Sequence, residues 1–414
     1  MRKYLYSIST QEKSLVLADQ GVFSGCGFII TLLLVRLLSP VEFGVYASLL
    51  LFIYFMVSIS SAVVIQPFQV TLSKIDNDIE YISFAFCLQL VLILILSIFT
   101  FLLLNIGIEI LYDLQQSSAI IILYGSCFLL HDFFRKLFLA RNVIWKALLI
   151  DTISGFIQLG FLSYFLLYSK LALSEVIFIL GLSYLPGLFI AIFLSKMVLT
   201  IRRNWKTYFL IHVVHGKWLL MTALLQWWAN NLFVIASGVL LGATAIGAFR
   251  LVQSVFGVLN LLLQTFENYA LPLASRLFQS SKESSKEYLR SMSFKGAILV
   301  GSLLFVIFLF SEFFIILVAG ESYLEYAFLV EGMSLLYFVI FAGYPTRIAI
   351  RMMELNHLFF LGYVLSFTFS LMSFQFLLKE WHLWGAIIGL ITNQIILFSF
   401  WQYALYKNQF VLWR

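Results

Sequence analysis

Of the 414 residues, 62% are hydrophobic and 11% charged, with a mean hydropathy of +1.00 and a formal net charge of +6. Soluble domains carry roughly 25% charged residues. A chain this apolar would have to leave large hydrophobic areas in water, so a soluble enzyme or nucleic-acid-binding module is excluded and lipid is the implied solvent. Forty-four Phe suit lipid-facing helices and interfacial belts. Cys26, Cys87 and Cys127 all lie in apolar runs and read as small hydrophobes, not as a disulfide frame or metal cluster. The polar start, MRKYLYSISTQEK, runs into a full-length apolar span, so no cleavable signal peptide is expected.

A bilayer core takes about 20 apolar residues per helix. Runs of that size predict twelve transmembrane helices at 15–38, 44–66, 82–104, 119–139, 147–168, 176–199, 218–241, 245–270, 294–318, 328–350, 356–378 and 385–406. The fold class is therefore an all-α integral membrane protein. Its expected layout is two six-helix lobes, 1–205 and 206–414, around a central cavity. The connectors are too short to hold a separate catalytic domain.

Lys and Arg set the orientation. With the N-terminus inside, every basic residue except Arg36, Lys170, Arg250 and Lys379 falls on a cytoplasmic segment. Glu42, Glu109, Asp113, Glu175, Glu321, Glu325 and Glu380 fall outside. Both termini are expected to be cytoplasmic. A faint internal repeat accompanies this pattern. Leu37 to Tyr46 aligns with Leu240 to Phe249, each at the turn joining the first two helices of its half. Phe134-Arg135 and Thr346-Arg347 each follow the fourth helix of their halves. Such repeats pack as lobes around a translocation path.

The eighth span carries the sharpest signal. Arg250, Gln253, Gly257, Asn260, Gln264 and Glu267 recur at helical spacing and form one stripe, opposite Val252, Val255, Phe256, Leu259, Leu263 and Phe266. Such a stripe cannot face hydrocarbon. It faces either a water-filled cavity or another polar helix, which it would bind through amide hydrogen bonds. The seventh span repeats the pattern more weakly with Thr222, Gln226, Asn230 and Ser237, beside Trp227 and Trp228. These two rings read as interfacial anchors or as stacking surfaces for sugars.

Ionisable residues in or beside the spans are Asp19, Arg36, Asp132, Arg135, Arg141, Asp151, Arg250, Glu267, Glu331, Arg347 and Arg351. Arg250 and Arg36 matter most, because cytoplasmic placement does not account for them; guanidinium groups bind diphosphate in bidentate fashion. The alternative is a structural pair, such as Arg36 with Glu42. Arg135, Arg141, Arg347 and Arg351 read as anchors at the cytoplasmic ends. Gly21, Gly25 and Gly27 form a small-residue face that serves bending or close packing, and Pro186-Gly187 and Gly343-Tyr344-Pro345 interrupt spans six and ten. No phosphate-loop signature occurs, and His131, His212, His215, His357 and His382 make no metal pattern. His212 and His215 sit in a basic segment and read as solvated. No serine or cysteine has a catalytic frame.

Asp19-Gln20, followed by the run from Val35 through Ser39-Pro40-Val41-Glu42-Phe43-Gly44-Val45-Tyr46 to Ala47, resembles the start of Wzx-type flippases. These handle O-antigen and exopolysaccharide in the MATE-like multidrug/oligosaccharidyl-lipid/polysaccharide superfamily. Gly242 to Arg250 and Glu267 to Pro272 are similar to the same family's second half. The resemblance implies a flippase of the inner (cytoplasmic) membrane, not an enzyme. Two lobes would carry an undecaprenyl-diphosphate-linked oligosaccharide from the inner to the outer leaflet by alternating access. It further implies Arg36 and Arg250 as diphosphate contacts. Gln226, Asn230, Gln253, Asn260 and Gln264 would be cavity contacts to sugar, and Asp19 or Glu267 would couple to H+ or Na+. The implied partners are the lipid-linked oligosaccharide, membrane lipid and glycan polymerase machinery, with no nucleic acid, metal or other cofactor. Two rival readings remain: a cation-coupled multidrug antiporter of the same superfamily, and a membrane glycan polymerase or ligase. Lipid II flippases typically have fourteen spans, and the count of twelve tells against them.

Overall fold

The computed structural model describes residues 10–72, 75, 78–106, 115–168, 171–195, 197 and 204–413. Among these the regular structure is helical, as hydrocarbon demands of a chain whose backbone groups must be satisfied locally. The spans are α1 (Thr10–Leu37), α2 (Pro40–Leu72), α3 (Asp78–Asn105), α4 (Ser118–Ala140), α5 (Ile144–Tyr168) and α6 (Leu173–Ser195). They continue with α7 (Trp205–Leu241), α8 (Ala243–Ser280), α9 (Lys282–Leu309) and α10 (Ala327–Met352). The 52-residue helix Asn356–Lys407 breaks at His382, where φ is 49° and ψ −130°, and so makes two spans, α11 and α12. Among the described residues ten helices are long and apolar enough to cross a bilayer. Dividing the last at His382, and adding α8 with its polar stripe, gives the twelve expected. The expected signal-free N-terminus and the basic residues Arg2, Lys3, Lys74, Lys170, Lys196, Arg202, Arg203 and Arg414 lie outside the described residues, as do the acids Glu109 and Asp113.

Several helices outrun their apolar windows. α2 continues past 66 through a π-turn at Ser61–Ile65, and α7 begins at Trp205, well before 218. A hydropathy window sees only the lipid-immersed stretch, whereas these extensions are held by packing against protein. His212 shows how. It was expected to be solvated but is 2% exposed. Its Nδ1 lies 2.9 Å from the Val63 carbonyl and its Nε2 lies 2.9 Å from the Tyr81 hydroxyl. A carbonyl only accepts, so Nδ1–H donates to it, and in the neutral ring the Tyr81 hydroxyl donates to Nε2. Val63 sits in the π-turn, where the regular hydrogen-bond ladder is interrupted. Tyr208, His212 and Gly216 share one buried stripe of α7, and Gly216 lies against the backbone of Ala62 and Val63.

The chain divides into two compact units, Met1–Leu38 with Leu49–Leu224, and Ser39–Ser48 with Leu225–Arg414. The change of unit thus falls inside α7. In the first unit Phe68, Tyr81, Phe84, Phe133, Phe134 and Phe138 build the core. In the second, Ser39-Pro40-Val41-Glu42 starts α2 with a capping box. The Glu42 N–H donates to Ser39 Oγ at 3.3 Å, and the Glu42 carboxylate accepts from the Ser39 N–H at 3.0 Å and its hydroxyl at 2.7 Å. Pro40 at the first helical position suits the same start. The Gly21, Gly25 and Gly27 face is open: a Cβ at any of them would meet nothing within 4 Å, so close packing does not account for it.

The repeat is visible in local geometry. α4 and α10 end in identical fashion. Arg141, Asn142 and Val143 donate to the carbonyls of Leu137, Leu139 and Phe138, while Met353, Glu354 and Leu355 donate to those of Ala349, Arg351 and Ile350. The middle residue of each trio is left-handed, with φ 57° at Asn142 and 56° at Glu354.

Candidate functional site

In the first unit the ionisable residues converge. Arg135, on α4, donates through its Nε to Asp151 of α5 and through Nη2 to Asp19 of α1, each at 2.7 Å. A longer contact from Nη2 reaches Gln20 Oε1 at 3.4 Å, and the guanidinium lies 4.2 Å from the centre of the Phe23 ring. His131 Nε2 lies 3.5 Å from the second Asp151 oxygen. Asp132 is paired separately with Lys136 at 2.8 Å, one helical turn on. Asp19, Arg135, Asp151 and His131 are all buried. Asp19 Oδ1 and Asp151 Oδ1 have no hydrogen-bond partner among the described residues. Two carboxylates face one guanidinium, so with His131 neutral the cluster carries one uncompensated negative charge. Buried charge of that kind is costly, and a proton or small cation would neutralise it.

The anchor reading of Arg135 is thereby corrected: this residue is the centre of a buried triad. Its partner Asp151 interrupts the apolar run 147–168. An acid there needs a partner within the protein, and that need was the signal pointing to Arg135.

In the second unit α8 turns its apolar residues into the core. Leu251, Val252, Phe256, Leu259 and Leu263 are buried in the unit. Arg250, Gln253 and Gly257 are half-buried and Asn260 is exposed. Arg250 donates to Gln253 Oε1 at 3.0 Å. Asn260 donates to the Tyr337 hydroxyl at 2.5 Å, and Tyr337 stacks on Phe256 with ring centres 4.9 Å apart. Gln264 continues the stripe in the same helix, but its side chain lies outside the described residues. On α7 Gln226 is half-buried and Asn230 exposed, and Trp227 and Trp228 meet edge to face at 5.3 Å.

Glu267, at the far end of the stripe, is buried between two arginines of α10. It is hydrogen-bonded to Arg351 and lies 3.6 Å from Arg347. The stripe's end is therefore an ion cluster with two cations and one anion. Arg36 is exposed in the last turn of α1, in the first unit, while Glu42 is engaged in the cap of α2.

A family model described as "Polysaccharide biosynthesis protein" matches residues 33–328. No curated protein matches the chain significantly. Among solved structures, an inward-facing multidrug resistance MATE family transporter of the MOP superfamily is similar at 12% identity, TM-score 0.65, over 96% of this chain and 95% of that one. A mutant of the Vibrio cholerae MATE transporter VcmN is similar at 12% identity, TM-score 0.63, over 96% and 97%. A MOP superfamily transporter from Pyrococcus furiosus, described as having a binding pocket of reversed polarity that suggests a different function, is similar at 10% identity, TM-score 0.61, over 96% of both chains. At these identities the likeness is one of fold.

Proposed function

The chain belongs to the polysaccharide biosynthesis protein family and is a multi-pass membrane protein with the fold of MATE transporters; from that premise we propose that it is a flippase for lipid-linked oligosaccharide. Its substrate would be an undecaprenyl-diphosphate-linked repeat unit, moved from the inner to the outer leaflet of the cytoplasmic membrane by alternating access of two lobes. Wzx-type export of O-antigen or exopolysaccharide is the pathway this reading favours, with the glycan polymerase machinery downstream.

One observation carries the reading. α8 buries its apolar face in its own unit, leaves Arg250 and Gln253 half-buried and Asn260 exposed, and pairs Arg250 with Gln253 and Asn260 with Tyr337. In a bilayer the donors and acceptors those pairs leave over need water or a hydrophilic ligand. A glycan supplies hydroxyls for the amides of Gln226, Asn230, Gln253, Asn260 and Gln264, and a diphosphate supplies an anion for a guanidinium, that of Arg250 or of Arg36. Deleting the gene should leave lipid-linked glycan on the cytoplasmic leaflet and abolish surface polymer. Complementation by Arg250→Ala should restore less polymer at equal protein level. Wild-type polymer from that variant would remove Arg250 from the path, and unchanged glycan in the deletion strain would sink the flippase reading. Dye sensitivity in that strain would point instead to the multidrug antiporter; one solved structure of similar fold is a multidrug resistance transporter.

Coupling would run through the triad of Asp19, Arg135 and Asp151, whose spare carboxylate oxygens await a proton or Na+. Asp19→Asn removes the surplus negative charge. Flipping in inverted vesicles should then lose its response to an imposed proton or sodium gradient while a gradient-independent rate persists. An undiminished gradient response would exclude Asp19 as the carrier.

A further inference from the structure

The two helix-four arginines occupy one place in the repeat, yet the clusters they belong to carry opposite net charge. Arg135 and Arg347 each precede the left-handed residue, Asn142 or Glu354, by the same number of positions, in helices whose ends match at Ala140 and Met352. Asp151 follows Arg135 by 16 residues, and Tyr363 follows Arg347 by the same count. In the same register Leu139 of the first half becomes Arg351 of the second. An acid has become a phenol and an aliphatic residue has become a second cation. The first cluster therefore carries two carboxylates around one guanidinium, and the second carries two guanidiniums around the single carboxylate of Glu267.

The second cluster is also the more open of the two. The side chains of Arg347 and Arg351 are 34% and 39% exposed, against 9% for Arg135, while Glu267 is 8% exposed beneath them. Arg347 Nε is ion-paired to Glu267 at 3.6 Å and makes no hydrogen bond among the described residues. The Tyr344 ring lies 5.6 Å from the Arg347 guanidinium, and Tyr363 is within electrostatic reach of it. Two guanidiniums one helical turn apart, sharing one carboxylate, leave a net positive charge on two partly exposed side chains.

We propose that Arg347, Arg351 and Glu267 form a phosphoanion site, in which Glu267 is a tethered anion that the incoming ligand displaces from the arginines. The two forks match phosphate oxygens in bidentate geometry. Glu267 keeps the arginines paired when no ligand is present and competes with the ligand when one arrives. A lipid-borne diphosphate headgroup and a free phosphoanion share this chemistry. That the occupant is the transported lipid rests on the flippase reading; that the site takes an anion does not.

The test uses the full chain in nanodiscs of zwitterionic lipid, with inorganic pyrophosphate as titrant and binding read by calorimetry. Arg347→Gln and Arg351→Gln should each weaken pyrophosphate by about tenfold or more, the size of a lost charged hydrogen bond. Glu267→Gln should instead tighten it by about tenfold, because the competitor is gone. A merely structural trio would move all three variants the same way. Thermal unfolding of each variant identifies any that fail to fold, and the partly exposed Arg351→Gln is the variant expected to keep its fold. Pyrophosphate binding unchanged in both arginine variants, or weakened in Glu267→Gln, overturns the proposal. A second arm places an isoprenyl diphosphate lipid in the nanodisc. Competition of pyrophosphate by that lipid, lost in the arginine variants, assigns the site to the headgroup, whereas no competition assigns it to a free anion. If the variants behave as expected while the deletion strain still exports glycan, the anion site stands and the flippase reading falls.

Discussion

Arg135→Ala is expected to be among the most damaging single substitutions in the chain. The guanidinium is the only described partner that neutralises Asp19 and Asp151 together, and both acids are buried, at 2% and 4% exposed. Removing one partner of a buried ion pair costs roughly 3–5 kcal/mol, because the remaining charge is stranded in low dielectric. Here two like charges would be stranded side by side. The purified variant should unfold at a much lower temperature than the parent in the same detergent, and its membrane yield should fall. Adding Asp19→Asn and Asp151→Asn to Arg135→Leu should restore most of the loss, since the triad would then be nearly isosteric and uncharged. A normal unfolding midpoint for Arg135→Ala alone would mean that water reaches the cluster and that it is not a sealed site.

That triad also marks where reading the sequence stops. The existence of twelve spans follows from hydrophobic runs, because lipid tolerates little else, and the α8 stripe follows from spacing alone. The ends of α2 and α7 did not follow. His212 and Gly216 hold α7 to the π-turn of α2 while Tyr208 packs on Tyr81 and Phe84 of α3, and this is tertiary packing that a hydropathy window cannot register. Arg135 was visible as a charge at a helix end, a place where basic residues commonly sit as anchors. Only the fold brings α1, α4 and α5 together and turns that charge inward. The same limit applies to Glu267. The stripe places it on a polar face, whereas its two arginines come from α10, eighty or more residues along the chain.

Gly44→Val should be comparably severe, for a steric reason. Gly44 lies one turn into α2, and a Cβ there would fall inside the carbonyl group of Ala243, the first residue of α8. The obstacle is backbone, so no rotamer change relieves it. Gly242, just before, already holds a φ of 98° that suits glycine alone, so the chain there has little freedom to retreat. Across the same contact, a Cβ on Gly247 would come within 2.9 Å of Gly44 Cα. These two glycines occupy matching positions in the repeat, and each supplies the missing side chain that lets the other helix approach. Overpacking usually costs about 1–3 kcal/mol and more where nothing can yield, so Gly44→Val should exceed the upper end of that range. Gly21→Ala is the matched control. It too replaces a helical glycine, but nothing lies within 4 Å, and helix propensity alone should stabilise it by up to about 1 kcal/mol. Thermal unfolding of the two purified variants should therefore shift in opposite directions. Equal midpoints would show that the α2 and α8 backbones are not in contact at Gly44.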